Sequence, residues 1–310
     1  MNRTALIIAA HGSGDGSSIN CRVRSVAGQI ADTGRFDEVV AAFRLGRPGF
    51  ADVLDTVTAD ECVVVPLMAA DGHFSNVVLP DELGKCAHSR HMSLRISPPV
   101  GAHSAILAAV RDRIGRVMDR HQLPRHDTTV VVVGHGTPRH GAGRRATELL
   151  ACDVSDVCSQ SLAVHLDESP RLEDAHRRIH SSNVIVIPFV IGGGHHAVQD
   201  IPARIDAGLS SNGGGLPLSR ERFVVCDVPV GEYDVIPDVI VALATAESAG
   251  PRLVGWASPA SNASNRCRAV PPPVLARESL LAPTTRPRRE RSAGGNPVPH
   301  EPQSPVPIHR

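Results

Sequence analysis

The sequence predicts an α/β protein made of two repeated domains, each a small parallel sheet flanked by helices, followed by a disordered tail. Three observations carry this prediction. Pro48, Pro66 and Pro80 recur as Pro170, Pro188 and Pro202 at one constant spacing, with no gap needed between them. Short runs rich in Val, Ile and Leu alternate with longer mixed segments in both copies, the pattern of strands followed by helices. After Gly250 the composition changes: PPP, RPRRERSAGG and PQSPVPIHR combine proline, arginine and serine with almost no periodic apolar residues.

In the first copy, residues 4–10, 37–44, 62–68 and 93–97 read as strands; in the second, 128–134, 160–166, 183–189 and 222–227. These runs do not alternate apolar with polar, so each strand is expected to be buried on both faces, as in a parallel sheet covered by helices. The first strands, ALIIAAHGS and VVVVGHGT, align His11 with His135, and PVG recurs at Pro99–Gly101 and Pro229–Gly231. The drift in spacing falls in loops, notably at SSNGGG before Leu216. The domains are therefore placed at 1–122 and 126–248, linked through Met118–Asp127 (MDRHQLPRHD), with a tail at 250–310.

Composition narrows the function. The chain has 310 residues, 42% of them hydrophobic, enough to bury two cores of ordinary size. Lys+Arg and Asp+Glu both number 32, and this balance gives no long-range field to hold nucleic acid or an anionic membrane. Aromatic residues are 3%, too few for the stacking platforms of single-strand binders. The basic RPRRERS run is read as part of a solvated tail. The seven cysteines are odd in number and contain no CxxC, so they read as small buried hydrophobes in a reduced compartment rather than as disulfides or cluster ligands. ALIIAA is too short for a signal-peptide core, and no apolar run approaches the ~20 residues of a membrane span. A cytoplasmic location is expected.

In parallel sheets, ligands sit beyond the carboxyl ends of the strands. His11 follows ALIIAA and precedes Gly-Ser-Gly; His135 follows VVVVG and precedes Gly-Thr-Pro. The third strand of each copy leads into a second histidine-bearing loop, AADGHFSN with His73 and IGGGHHAVQD with His195 and His196. Imidazoles on neighbouring loops suit an open site for a borderline divalent ion such as Co(II), Fe(II), Ni(II) or Zn(II). Few ligands suit a metal that must be surrendered, whereas a structural site is closed by four. A single histidine after a strand is commonly just a hydrogen-bonded loop residue, but its recurrence at equivalent strand ends of both copies points to a shared metal or anion site.

The motif of an apolar strand ending in His-Gly-Ser, then Phe…Pro before a helix, then Pro-apolar-apolar…Gly-x-His-x-x-x-Asp-Ile-Pro resembles the CbiX/SirB sirohydrochlorin chelatases, whose fold is shared with other class II chelatases. The resemblance runs from residue 4 to about 245. In the second copy it falls on Pro188-Phe189-Val190, Gly194-His195-His196 and Asp200-Ile201-Pro202, placing the family's histidines on His135 and His196. In the first copy His11-Gly12-Ser13 matches, but counting back from Leu79-Pro80 puts Phe74 where the second histidine belongs, with His73 one place early. The chain thus looks like a fused, monomeric pseudo-dimer whose first half has drifted.

The resemblance implies a lyase that inserts Co(II), or Fe(II) or Ni(II), into a sirohydrochlorin-like tetrapyrrole for cobalamin or sirohaem synthesis. The metal is a substrate, and no permanently bound cofactor is expected. On this reading His135 and His196, with His11 and His73 in the first copy, are the candidate metal ligands. Insertion also removes two pyrrole protons, and Asp200 is the first candidate acceptor, with Asp15, Asp71 and Glu168 behind it. Arg139, Arg44 and Arg47 are candidates for the substrate's carboxylates. Two other readings compete. One is a metal or tetrapyrrole carrier on the same fold, which Phe74 favours. The other is a histidine phosphatase, suggested by Arg139-His140-Gly141 but disfavoured because that triplet lies inside a loop rather than at a strand end.

Overall fold

The computed structural model describes residues 3–14, 16–90, 92–137, 140–191, 200–210, 222–246 and 252–253. The first half runs β1 (Thr4–Gly12), α1 (Ser18–Ala31), β2 (Glu38–Leu45), α2 (Phe50–Val53), β3 (Glu61–Pro66), α3 (Leu79–Arg90), β4 (Ser93–Ile96) and α4 (Ser104–His121). The second runs β5 (Thr128–Gly134), α5 (Ala142–Asp153), β6 (Gln160–His165), β7 (Asn183–Pro188), α6 (Ile201–Ser210), β8 (Phe223–Cys226) and α7 (Ile236–Thr245). A 3-10 turn at Leu172–Arg177 stands where the first half has α2. All eight expected strands are present.

The strand orders are β2-β1-β3-β4 and β6-β5-β7-β8, and every pairing within them is parallel. The apolar runs are buried on both faces because each face has its own helical cover. Leu6, Ile8 and Ala10 turn toward one side, where they join Val23, Val26 and Ile30 of α1; Ala5, Ile7 and Ala9 turn toward the other, against Phe50, Leu79 and Leu83. The second sheet repeats this division: Val130 and Val132 face the first side, Val131 and Val133 the side of Leu172, Ile201 and Ile205. At about 1.5–3 kcal/mol per fully buried aliphatic side chain, these strand residues are a main source of stability.

The two sheets share one apolar core, to which α1, α4, α5 and α7 contribute. The last helix of each half lies on the other half's sheet, α4 on β7 and α7 on β3. Local signals start and stop α4: the His103 ring accepts from the Ala105 N–H at 3.2 Å, and Gln122 closes the helix in the left-handed region with φ 53°. Charged pairs fasten it to the second half. Arg111 holds Asp156 through both terminal nitrogens, at 2.5 and 2.8 Å, and Arg113 grips the buried Asp227, which also accepts the Tyr233 hydroxyl at 2.8 Å. Burial pushes the Asp227 carboxyl up, but hydrogen bonds from Arg113 and Tyr233 outweigh it and hold the group below the usual range.

The tail boundary is later than the sequence suggests. Arg252 and Leu253 form a short strand, β9, antiparallel to β4 through Leu94↔Leu253 and Arg95↔Arg252. Two residues carry no periodicity, so pattern reading passes over them. The rest of the expected tail lies outside the described residues. Among the described residues, no helix is long and apolar enough to cross a membrane.

Candidate functional site

Both first strands end in a histidine held over a glycine turn. Gly12 has φ +70°, and a Cβ there would sit 2.4 Å from the Leu45 carbonyl oxygen. Gly136 has φ +71°, and its Cβ would lie 2.8 Å from Cβ of His165 and Cγ of Glu168. Neither position accommodates a side chain, so the imidazole before each glycine is directed to the sheet edge by backbone geometry. His11 Nδ1 lies 3.2 Å from the Gly12 carbonyl oxygen and His135 Nδ1 3.0 Å from that of Gly136. A proton on Nδ1 satisfies these contacts and leaves the lone pair of Nε2 for a ligand.

The surroundings of the two imidazoles differ. In the first half the His11 ring meets Phe74 at 5.6 Å between centroids; Phe74 rests on Phe50 at 5.7 Å, and the Arg44 guanidinium lies 5.5 Å above it. Arg47 is exposed nearby on the loop after β2. Phe74 is thus the aromatic neighbour of His11 in the first half. In the second half, His135 Nδ1 also lies 3.3 Å from the Asp167 carboxylate, and the Asp167 N–H donates to the His135 carbonyl at 3.0 Å. Glu168 Oε1 accepts from the Thr137 N–H at 3.1 Å. Asp167 and Glu168 thus flank His135 on the loop after β6.

His165 ends β6 beneath this loop and is fully buried, with neither ring nitrogen hydrogen-bonded. Burial holds its pKa below the usual imidazole value, against the opposing pull of the Glu168 carboxylate. The equivalent residue in the first half is the buried Phe43.

The other candidates are placed as follows. Asp200 immediately precedes α6. Asp71 accepts from the Ser75 hydroxyl at 3.3 Å. His73 stacks on His140 of the second half, with centroids 4.6 Å apart and planes at 15°. Arg139, His195, His196 and Asp15 lie outside the described residues. Among the described residues, no three His, Cys, Asp or Glu side chains converge as a closed metal site. Asp167 and His165 are absent from the residues that the sequence points to, and His140 enters there only within the Arg139-His140-Gly141 triplet. For Asp167 a signal existed, since the repeat sets HLDESP against FRLGRP, so that acids stand in the second copy where the first has Leu45 and Gly46.

A doubled parallel sheet with imidazoles on the loops beyond its carboxyl edge defines the chelatase-like class of α/β proteins. The chain belongs to the CbiX family, whose model matches residues 5–117 and again 129–246. A probable sirohydrochlorin cobaltochelatase of Halobacterium salinarum is 30% identical over 220 residues, covering 64% of this chain and 75% of the relative. Among solved structures, a CbiX described as the terminal enzyme of siroheme biosynthesis in denitrifying bacteria superposes with a TM-score of 0.60 at 22% identity, over 77% of this chain and 97% of that one. A multi-domain protein of Deinococcus radiodurans with similarity to chelatases gives 0.59 at 23% identity, covering 81% of this chain but 57% of its own. SirB from Bacillus subtilis subspecies spizizenii, solved with cobalt, gives 0.57 at 15% identity over 78% of this chain and 94% of SirB. These structural likenesses establish the shared fold.

Proposed function

We propose that this protein is a sirohydrochlorin chelatase that inserts a divalent metal, Co(II) first and Fe(II) or Ni(II) next, into a tetrapyrrole, with the working metal site in the second half. The observation that carries this reading is the pairing of His135 with Asp167 at 3.3 Å on a loop that also bears Glu168. A carboxylate on Nδ1 fixes the ring and raises the basicity of Nε2, which suits a metal ligand. The related cobaltochelatase of Halobacterium salinarum supports the choice of cobalt as the first metal to test.

In this mechanism His135 and His196 receive the ion, and the low ligand count leaves positions for the pyrrole nitrogens. As the metal enters, two N–H protons leave the macrocycle; Glu168 and Asp200 are the carboxylates assigned to accept them on their way to solvent. Asp167 positions His135. Arg44 and Arg47, with Arg139, receive the substrate's peripheral carboxylates. The metal and the tetrapyrrole are both substrates, no resident cofactor is required, and the fused halves are assigned to a monomer.

The test is metal insertion followed by absorbance, with sirohydrochlorin and each of Co(II), Fe(II) and Ni(II). Insertion faster than the uncatalysed rate, lost in His135→Ala, is the expected result. Tight pigment binding with no acceleration for any metal would replace the enzyme with a carrier, the reading favoured by Phe74 in the first half.

A further inference from the structure

We propose that Asn20 is a positioning residue for substrate binding: it ties the turn after His11 to the loop that carries Arg44 and Arg47, and so fixes where those two guanidiniums meet the substrate's carboxylates. The role rests on the chelatase reading, in which the two arginines receive a carboxylate-bearing tetrapyrrole. Asn20 lies in the first turn of α1, on the buried stripe that it shares with Val23, Ala27 and Ile30, where helical periodicity alone would put an apolar residue. It is fully buried, so its amide needs partners within the protein. Both ends of the amide find them on the two loops. Oδ1 accepts from the Ser13 N–H at 3.2 Å, and Nδ2 donates to the carbonyls of Gly14 at 2.9 Å and Leu45 at 3.1 Å. The Leu45 carbonyl also accepts from the Gly14 N–H at 3.0 Å, so the turn and the loop are joined directly as well as through Asn20.

One glycine from each loop makes room for this amide. A Cβ on Gly12 would lie 2.9 Å from Asn20 Oδ1, and one on Gly46, where φ is +144°, would overlap Nδ2. One helical turn further along α1, Arg24 Nη2 donates to the Arg47 carbonyl at 2.7 Å, and its guanidinium lies 5.0 Å over the Phe43 ring. The backbone on both sides of Gly46 is therefore held from α1, while the side chains of Arg44 and Arg47 are exposed. The second half fastens the corresponding turn differently: the Thr137 N–H, two residues past the histidine as Ser13 is, is held by Glu168 of the facing loop. There a loop carboxylate does the fastening. In the first half a neutral helix residue does it, and the loop presents cations instead.

The experiment titrates the full chain with metal-free sirohydrochlorin by absorbance and then follows Co(II) insertion. Asn20→Ala and Gly46→Ala disturb the same contact from its two sides. Each is expected to raise the pigment Kd, and KM, about 3–10-fold with kcat changed less than about twofold, as for lost uniform binding. Gly46→Ala, on the surface loop, carries the test should Asn20→Ala not fold. When Arg44 and Arg47 are already alanine, neither substitution should weaken binding further, because a residue that acts through the arginines has nothing left to position; general damage to the fold would add its own loss and lower kcat. Pigment binding needs no metal, so this readout stands whether or not insertion occurs. Unchanged binding in both variants, or a further loss in the arginine-free background, overturns the role of Asn20 alone. Pigment binding that does not depend on Arg44 and Arg47 overturns the basic loop as the carboxylate site, and the role of Asn20 with it.

Discussion

The loops after β2 and β6 occupy equivalent places in the two halves, yet their chemistry is inverted. Phe43 and His165 are both fully buried at the strand end, and both donate their backbone N–H to the carbonyl of the repeated proline, at 3.0 Å to Pro48 and 2.9 Å to Pro170. Between these fixed points Arg44, Leu45, Gly46 and Arg47 face Leu166, Asp167, Glu168 and Ser169. One loop is basic and the other acidic. The scaffold is preserved by burial and backbone hydrogen bonds, which constrain charge very little, so the exposed loop residues are free to divide two tasks between two copies. On the proposed function, the acidic edge beside His135 would serve the cation and the basic edge above Phe74 the substrate carboxylates.

The sharpest way to break this contrast is to remove the imidazoles. His135→Ala is expected to lower Co(II) insertion by at least ~100-fold and Asp167→Asn by ~10–100-fold, while His11→Ala, whose neighbour is Phe74, costs less. Insertion rates of the three variants decide the matter. Normal turnover in His135→Ala with loss in His11→Ala would move the working site to the first half.

The contrast can also be reversed by design. Phe74→His combined with Leu45→Asp gives the first edge the ligand types of the second, and one additional Co(II) per chain is expected by dialysis. Removing the basic edge should act differently: Arg44→Ala with Arg47→Ala is expected to raise KM for the tetrapyrrole several-fold with kcat little changed, the signature of lost uniform binding. A fall in kcat at constant KM would place those arginines in the chemistry instead.

How much of this was legible beforehand follows from what each level of structure depends on. The eight strands and their parallel pairing are readable because burial on both faces leaves an unbroken Val/Ile signature in sequence, whereas their order is not. His11 and His135 were readable because a glycine after a strand end is a local signal. Asp167 was not singled out, since an acid in a polar loop looks like any solvated residue until the neighbouring strand brings His135 to 3.3 Å. The contact between His73 and His140 depends on how the halves dock, which no local pattern encodes. His165 was hidden by its position within an otherwise apolar strand.

His165 leads to a stability prediction that separates the halves. Its pKa is depressed in the folded state, so the unfolded chain binds the proton more readily, and stability is complete above the unfolded value of ~6.5 and declines as pH falls below it. His165→Phe, which installs the first half's residue, removes that decline and also removes unsatisfied buried nitrogens, a gain of roughly 1–3 kcal/mol. Denaturant melts at about pH 7 and about pH 5.5 should show the variant more stable at both, with the larger difference at the lower pH. Asp227 titrates in a separate window. Its folded pKa is lowered, so its contribution persists above the unfolded value of ~3.9 and is lost as pH falls further, which Arg113→Ala should diminish.

The smallest expected effect concerns the edge of the first sheet. Composition alone puts the end of the folded body near Gly250, which makes a chain ending there as stable as the whole. The pairing of Arg252 and Leu253 with Arg95 and Leu94 changes that expectation, because such a chain loses β9 and exposes the β4 edge. Two backbone hydrogen bonds at roughly 1 kcal/mol net each amount to a shift of about 4–8 °C in a domain of this size. A chain ending after Leu253 should melt with the full-length protein, and one ending at Gly250 a few degrees lower, with insertion unchanged because β4 lies at the far side of the sheet from β2 and its loop. Identical melting of all three chains would mean that β9 contributes nothing, while a large drop for the chain ending after Leu253 would show that residues beyond it stabilise the body.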